Sequence, residues 1–332
     1  MSRIRRASTL ALLLVGASCG RPLEIFSDAS DDAHRITRLA WFMIVAGAIV
    51  FVGVMVTMLL ALRRNGERPP EEVRLDDPGS RWIVVGGAII PAVVLTAVLV
   101  VSLTAMGRST TSRPRLTIDV VGRQWWWEVR YAFAERSENL VTANELHIPV
   151  GQPVRVRVTS ADVIHSFWVP QLQGKIDVIP GDTNEIVLRA RREGTYGGTC
   201  AEYCGTQHAR MGFVVVVDDS ATFAQWAGRQ LAEGVVPSDP ETIEGRQLFE
   251  TGPCALCHTV RGTLARGTVA PDLTHFGSRQ TIGAGTLGNS LGNLEAWIAN
   301  AQSIKPGTRM PTLTMSSGRE LRALAAYVAS LK

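Results

Sequence analysis

Two nearly unbroken apolar runs, 39–62 and 83–106, dominate the first third of the chain. As a helix, a run of this length extends ~36 Å against a hydrocarbon core of about 30 Å, so both are predicted to span a membrane with some tilt. Neither run has a polar face, which excludes the amphipathic helices of a soluble core. Pro91 lies inside the second run and predicts a kink there. Ahead of them, Arg3, Arg5 and Arg6 precede the apolar stretch Leu10 to Val15 and small residues up to Cys19, so residues 1–19 read as an export signal. Cys19 stands where a lipoprotein signal would be cleaved and lipidated. Gly16 occupies the position where that pattern usually has a larger aliphatic residue, so simple cleavage nearby and an uncleaved anchor stay open beside lipidation.

Arginines surround both runs and do not orient the hairpin by themselves: Arg63, Arg64, Arg68, Arg74 and Arg81 join the runs, but Arg35, Arg38, Arg108, Arg113 and Arg115 lie on the other sides. The leader decides it, because export of the N-terminus places everything after Met106 outside the cytoplasm.

Beyond residue 110 the period changes to two. Leu116-Thr-Ile-Asp-Val-Val, Val154-Arg-Val-Arg-Val, Glu185-Ile-Val-Leu and Phe213-Val-Val-Val-Val alternate or run as strands, punctuated by Gly151, Pro153, Pro180 and Gly181. This predicts an all-β antiparallel barrel or sandwich over 110–219. Gln124-Trp-Trp-Trp-Glu, read as strand, puts Trp125 and Trp127 on one face and Trp126 on the other. Ser220 to Glu233 predicts a helix with Phe223, Trp226 and Leu231 on a common side, and Gly234-Val-Val-Pro-Ser-Asp-Pro240 reads as linker, so 220–240 connects the β region to a last domain over 241–332.

Composition changes the picture little. Hydrophobic residues at 46% and charged residues at 19% agree with a membrane protein. Residues 1–18 carry three arginines and no acid, so their loss lowers the net charge from +4 to +1, and no nucleic-acid footprint follows. The five cysteines are more informative, because four of them fall in two compact motifs.

The first motif is Cys200-Ala-Glu-Tyr-Cys204-Gly-Thr-Gln-His208-Ala-Arg-Met211. Two thiols, an imidazole and a thioether within a dozen residues suit copper, with His165 of Asp-Val-Ile-His-Ser-Phe-Trp as a second imidazole donor. Two cysteines four residues apart can bridge two metals. A disulfide, structural zinc and inert buried thiols compete, but none of them requires Met211 or His165. The second motif is Cys254-Ala-Leu-Cys257-His258. Cys-x-x-Cys-His marks covalent c-type haem, two thiols adding to vinyl groups and the histidine ligating iron; a redox dithiol or half a zinc site is the rival reading.

The first motif, the His165 loop and Gly174-Lys-Ile-Asp-Val-Ile-Pro-Gly181 resemble subunit II of the haem–copper cytochrome c oxidases over about residues 37–217. The resemblance implies a two-helix transmembrane hairpin over 20–109, a cupredoxin-like fold for 110–219 and a binuclear copper (CuA) centre. Cys200 and Cys204 would bridge the coppers, His165 and His208 would be terminal ligands, and Met211 and the Glu202 carbonyl the weak outer ones. The Glu202 side chain would reach a magnesium ion shared with subunit I. Trp125 matches the exposed aromatic through which cytochrome c delivers electrons in that family.

Residues 241–332 resemble an all-α class I cytochrome c. In Lys305-Pro-Gly-Thr-Arg-Met310-Pro the family's ligand loop makes Met310 the sixth iron ligand, with Met315 and His275 as rivals. A fused chain of this kind implies the membrane-bound subunit II of an aerobic bacterial oxidase. It would take electrons from an upstream donor and pass them to subunit I, which holds further haems and copper, with subunit III as a further expected partner. No nucleic-acid partner is expected. A stand-alone tethered electron carrier, or a subunit of another CuA enzyme such as a nitric oxide reductase, is the alternative. One departure stands out: Ser80-Arg-Trp-Ile-Val-Val-Gly lacks the acidic residue that many relatives carry at the inner end of the second span, and the nearest acids are Asp76 and Asp77.

Overall fold

The computed structural model describes residues 23–63, 78–106, 114–132, 140–312 and 317–332. The export signal with Cys19, the loop acids Asp76 and Asp77, and Met315 lie outside these residues. Among the described residues, His34 to Met106 form one compact unit, and the residues through Ala33 together with those from Pro114 onward form the other.

The first unit holds the two apolar runs. α1 (Asp31–Arg63) starts eight residues ahead of the first run, with Asp31 and Asp32 in its first turn where carboxylates favour the positive end of the helix dipole. The second run begins as α2 (Pro78–Val84), passes through a π-turn (Val85–Ile89) and continues as α3 (Ile90–Met106). The irregularity falls one turn before Pro91 because proline has no N–H to offer Gly87 and its ring crowds that carbonyl, so the widened turn relieves both faults. Both helices are long and apolar enough to cross a membrane, and their apolar windows bury nothing within the chain.

The second unit opens with a β-sandwich of two five-stranded sheets. One sheet has the order β3 (Leu140–Ala143), β2 (Trp126–Ala132), β1 (Leu116–Arg123), β5 (Val154–Ser160), β8 (Asn184–Leu188). The other runs β4 (Glu145–Pro149), β10 (Gly212–Asp218), β9 (Gly194–Cys200), β6 (His165–Trp168), β7 (Ile176–Val178). All four predicted strands are present. The pairing is mixed rather than antiparallel, since β1 lies parallel to β5 and β10 parallel to β4. Both parallel pairs join strands distant in sequence, which short turn signals cannot reveal.

Alternation fills the space between the sheets: Ile118, Val120, Val154, Val156, Val158, Val215 and Val217 are buried. Trp127 forms the centre, edge-on to Phe167 and Phe213 at 5.8 and 5.5 Å, while those two rings stack on each other at 4.6 Å. The tryptophan run is not one strand. Gln124 and Trp125 form the turn between β1 and β2, and the strand resumes at Trp126.

α4 (Ser220–Leu231) closes the bottom of the sandwich. Asp219 caps it by accepting from the amides of Ala221 and Thr222, and Trp226 is buried with Phe223 and Leu231 packed around it, as the periodicity requires. The helix ends two residues before its predicted limit, because Ala232 is already extended.

The helical region follows with α5 (Pro240–Thr251), α6 (Cys254–Cys257), α7 (Leu291–Ile304) and α8 (Gly318–Ser330). Side-chain acceptors cap three of them, Asp239, Ser290 and Ser317. α5 crosses α8 at Gly245, where a Cβ would lie 1.9 Å from the carbonyl oxygen of Ala323, so only glycine lets the two backbones approach. Phe249 meets Tyr327 edge-on below that crossing.

Candidate metal centre

The predicted copper donors converge at one end of the sandwich. β6 brings in His165 and the end of β9 brings in Cys200, and a tight loop from there to the short 3-10 turn His208–Arg210 supplies the rest. The two sulfurs lie 3.7 Å apart, well beyond the ~2.05 Å of a disulfide. His165 Nδ1 is 3.9 Å from the sulfur of Cys200, and the Glu202 carbonyl oxygen 3.2 Å from it. On the other side, His208 Nδ1 is 3.7 Å and Met211 Sδ 3.8 Å from the sulfur of Cys204. His165, Cys200 and Cys204 offer donor atoms that all fall within 4.8 Å of one another, a group that does not include His208.

The site is built into the hydrophobic core. Cys200, Cys204 and Met211 belong to the cluster around Trp127, and His165 is fully buried. Hydrogen bonding with Cys204 leads the effects that pull the Cys200 thiol down, helped by His165 and the Glu202 backbone, and the same interaction pushes Cys204 up. Burial lowers the His165 pKa, but its bonds to Cys200 and Asp162 outweigh this and raise it. Asp162 accepts from His165 Nε2 at 2.8 Å, which leaves Nδ1 facing the sulfurs. The side chain of Glu202 turns outward and pairs with Lys175 at 3.5 Å.

The second motif lines a cavity of about 500 Å³, within the roughly 300–1,000 Å³ common for cofactor sites. Cys254, Cys257, His258 and Met310 all face it. His258 Nδ1 bonds the Pro271 carbonyl at 2.8 Å, fixing the tautomer that leaves Nε2 free, and burial pushes its pKa below the ordinary value. His275 lines no part of the cavity and bonds the Ala232 carbonyl at 3.1 Å. Arg279 also lines the cavity, and its Nε is enclosed without a hydrogen-bond partner. An unanswered guanidinium N–H beside a hollow lined by two thiols, an imidazole and a thioether fits a tetrapyrrole with carboxylate arms.

Trp125 belongs to both places. It lines the cavity, and its indole Nε1 donates to the carbonyl of Cys204 at 3.1 Å, beside Gln124 Nε2 on the same oxygen at 2.9 Å. Gly205, at φ +115°, makes room: a Cβ there would sit 3.1 Å from the Trp125 ring. Trp125 is half-buried beneath the helical region rather than open to solvent.

Four participants were not singled out by their sequence. Asp162 and Gln124 act through hydrogen bonds to the copper-side residues, and Arg279 lies beyond either motif. Lys305 opens the loop that leads to Met310; it is buried, and burial together with the Arg210 charge pushes its amine down to about 7.

A membrane-anchored chain that joins a cupredoxin-like sandwich bearing sulfur and imidazole donors to a helical region with a haem-type cavity is an oxidoreductase of the copper–haem class. Residues 132–218 match the family model described as cytochrome c oxidase subunit II, periplasmic domain, and residues 243–332 match cytochrome c. Cytochrome c oxidase subunit 2 of Alkalihalophilus pseudofirmus is 34% identical over 340 residues, covering 100% of this chain and 97% of its own. The Bacillus subtilis protein of the same name is 28% identical, covering 97% and 95%. The solved periplasmic domain of subunit II of cytochrome oxidase from Bradyrhizobium japonicum is 34% identical, with a TM-score of 0.34, over 37% of this chain and 100% of that one. The chain belongs to the cytochrome c oxidase subunit 2 family, in a form that carries its own cytochrome c domain.

Proposed function

We propose that this chain carries electrons from a covalently attached haem c to a binuclear copper centre, and from there to the oxygen-reducing subunit I of a bacterial respiratory oxidase, from a position on the outer face of the membrane. The observation that carries this reading is Trp125, which lies on the haem-type cavity and hydrogen-bonds the backbone of a copper-site cysteine. Bound haem and copper supply reversible one-electron chemistry.

The chain's own residues do the holding and orienting. Cys254 and Cys257 would anchor the haem, His258 and Met310 would ligate its iron, and Arg279 would meet a carboxylate arm. Cys200 and Cys204 would bridge two coppers. The donors divide into a His165, Cys200 and Glu202-carbonyl side and a His208, Cys204 and Met211 side, which supports two metal ions over one. Burial of every sulfur keeps water from the centre and limits the rearrangement that a change of charge demands. Glu202 would serve a magnesium ion shared with subunit I, in competition with Lys175. Subunit III and an upstream donor complete the expected partners.

Rapid reduction of the assembled, fully loaded oxidase tests this. The haem should reduce first, and its reoxidation should coincide with reduction of a centre whose paramagnetic resonance shows one electron shared equally by two coppers. A single-copper spectrum, or copper reduced ahead of haem, would overturn it.

A further inference from the structure

The helical region grips the copper end of the sandwich through one residue more than any other. Lys305 is 2% exposed, yet its side chain ends in an amine. Its Nζ donates to the carbonyls of Trp125 at 2.8 Å, Arg210 at 2.8 Å and Gly283 at 3.0 Å. Three acceptors match the three N–H bonds of its protonated form. They come from three separate places: the turn that carries Trp125, the copper loop one residue before Met211, and a turn of the helical region. A surface lysine on an ordinary docking face would keep its head in water. This one gives up hydration entirely, which is favourable only while all three carbonyls stay in place.

The neighbouring segment is engaged as well. Gln207 donates to the Pro306 carbonyl and Arg210 to the Ile304 carbonyl, and Arg309 Nη2 donates to Gln124 Oε1 at 3.1 Å. Residues 304–309 therefore form a tongue held by copper-side loops, and the tongue leads directly into Met310. Lys305 is its innermost point.

We infer that Lys305 is the positioning residue for electron transfer between the two centres: by tying the Trp125 turn and the copper loop to the tongue ahead of Met310, it fixes the haem cavity against Trp125 in one register. This rests on the proposed haem-to-copper reading. The chain then works as a permanently docked donor and acceptor rather than as a tethered pair that meets by diffusion, and rate depends on the accuracy of docking instead of on encounter.

The test is Lys305→Met in the assembled, loaded oxidase, with two readouts. Haem-to-copper transfer should slow by roughly 10-fold or more, since small misplacements between reacting groups cost rates of that order. Both reduction potentials and both spectra should stay as in the wild type. Hydrogen exchange is the readout independent of turnover. The amide of Gly212 donates to Ala284 O and the amide of Gln280 to Glu145 Oε2, both across the same junction. Their peptides should exchange about 10-fold faster in the variant, while those of β1 and β5 are unchanged. If Lys305→Met does not mature, Lys305→Gln, with two N–H donors for three acceptors, should show the same pattern more weakly. Unchanged transfer, or slow transfer accompanied by shifted potentials, would overturn the inference and leave the proposed function standing. Absence of haem-to-copper transfer in the wild type would instead remove the function itself.

Discussion

The copper end of the sandwich and the haem cavity show two ways of preparing a cofactor site. At the copper end the donors are part of a packed core: β-strands carry His165 and Cys200, and the loop after β9 brings Cys204 and Met211 in among the same buried side chains. The helical region encloses a hollow instead, with a buried guanidinium N–H unanswered. The packed site draws its fold from the surrounding side chains. The cavity walls would draw theirs from the cofactor they enclose, which supplies their packing contacts.

The largest expected effect breaks the helical side alone. In a Cys254→Ser, Cys257→Ser chain, haem cannot be attached, and limited proteolysis should cut 241–332 while the sandwich remains protected and takes up copper. A helical region that stays protected without haem would end the contrast. Next, Trp127→Ala removes the ring about which the copper-side core packs. Denaturant unfolding should show a loss of about 3–5 kcal/mol, with copper affinity falling in parallel. Gly245→Ala should cost the helical region about 1–3 kcal/mol, because the new Cβ meets the Ala323 backbone, which cannot turn aside. The smallest effect sharpens the comparison: Met211→Leu nearly conserves volume, so metal-free stability should change by less than about 1.5 kcal/mol while the copper resonance spectrum changes clearly. Equal losses of stability and of signal would mean that the core and the metal site are not separable there.

Much of this was legible in the chain. The two spans are evident from length and apolarity, and the four main strands from their alternation, because burial on one face writes itself into the order of residues. Both cofactor motifs are compact enough to stand out, so His165 is the one proposed copper donor that had to be sought at a distance. What the sequence hid is of one kind. The parallel pairings β1–β5 and β4–β10 join segments separated by long connections. The role of Lys305 is fixed by carbonyls from residues 125, 210 and 283, and main-chain oxygens leave no trace in residue type. The placement of Trp125 in a turn was masked by a run of three β-favouring rings, which propensity reads as strand.

Asp162 receives His165 Nε2 on one oxygen and the amide of Gln124 on the other, with Arg309 of the helical region 3.8 Å away. One carboxylate therefore answers to a metal-site imidazole, to the turn that carries Trp125 and to a charge on the other domain. A change at residue 162, 124 or 309 therefore alters contacts on both sides of the junction at once.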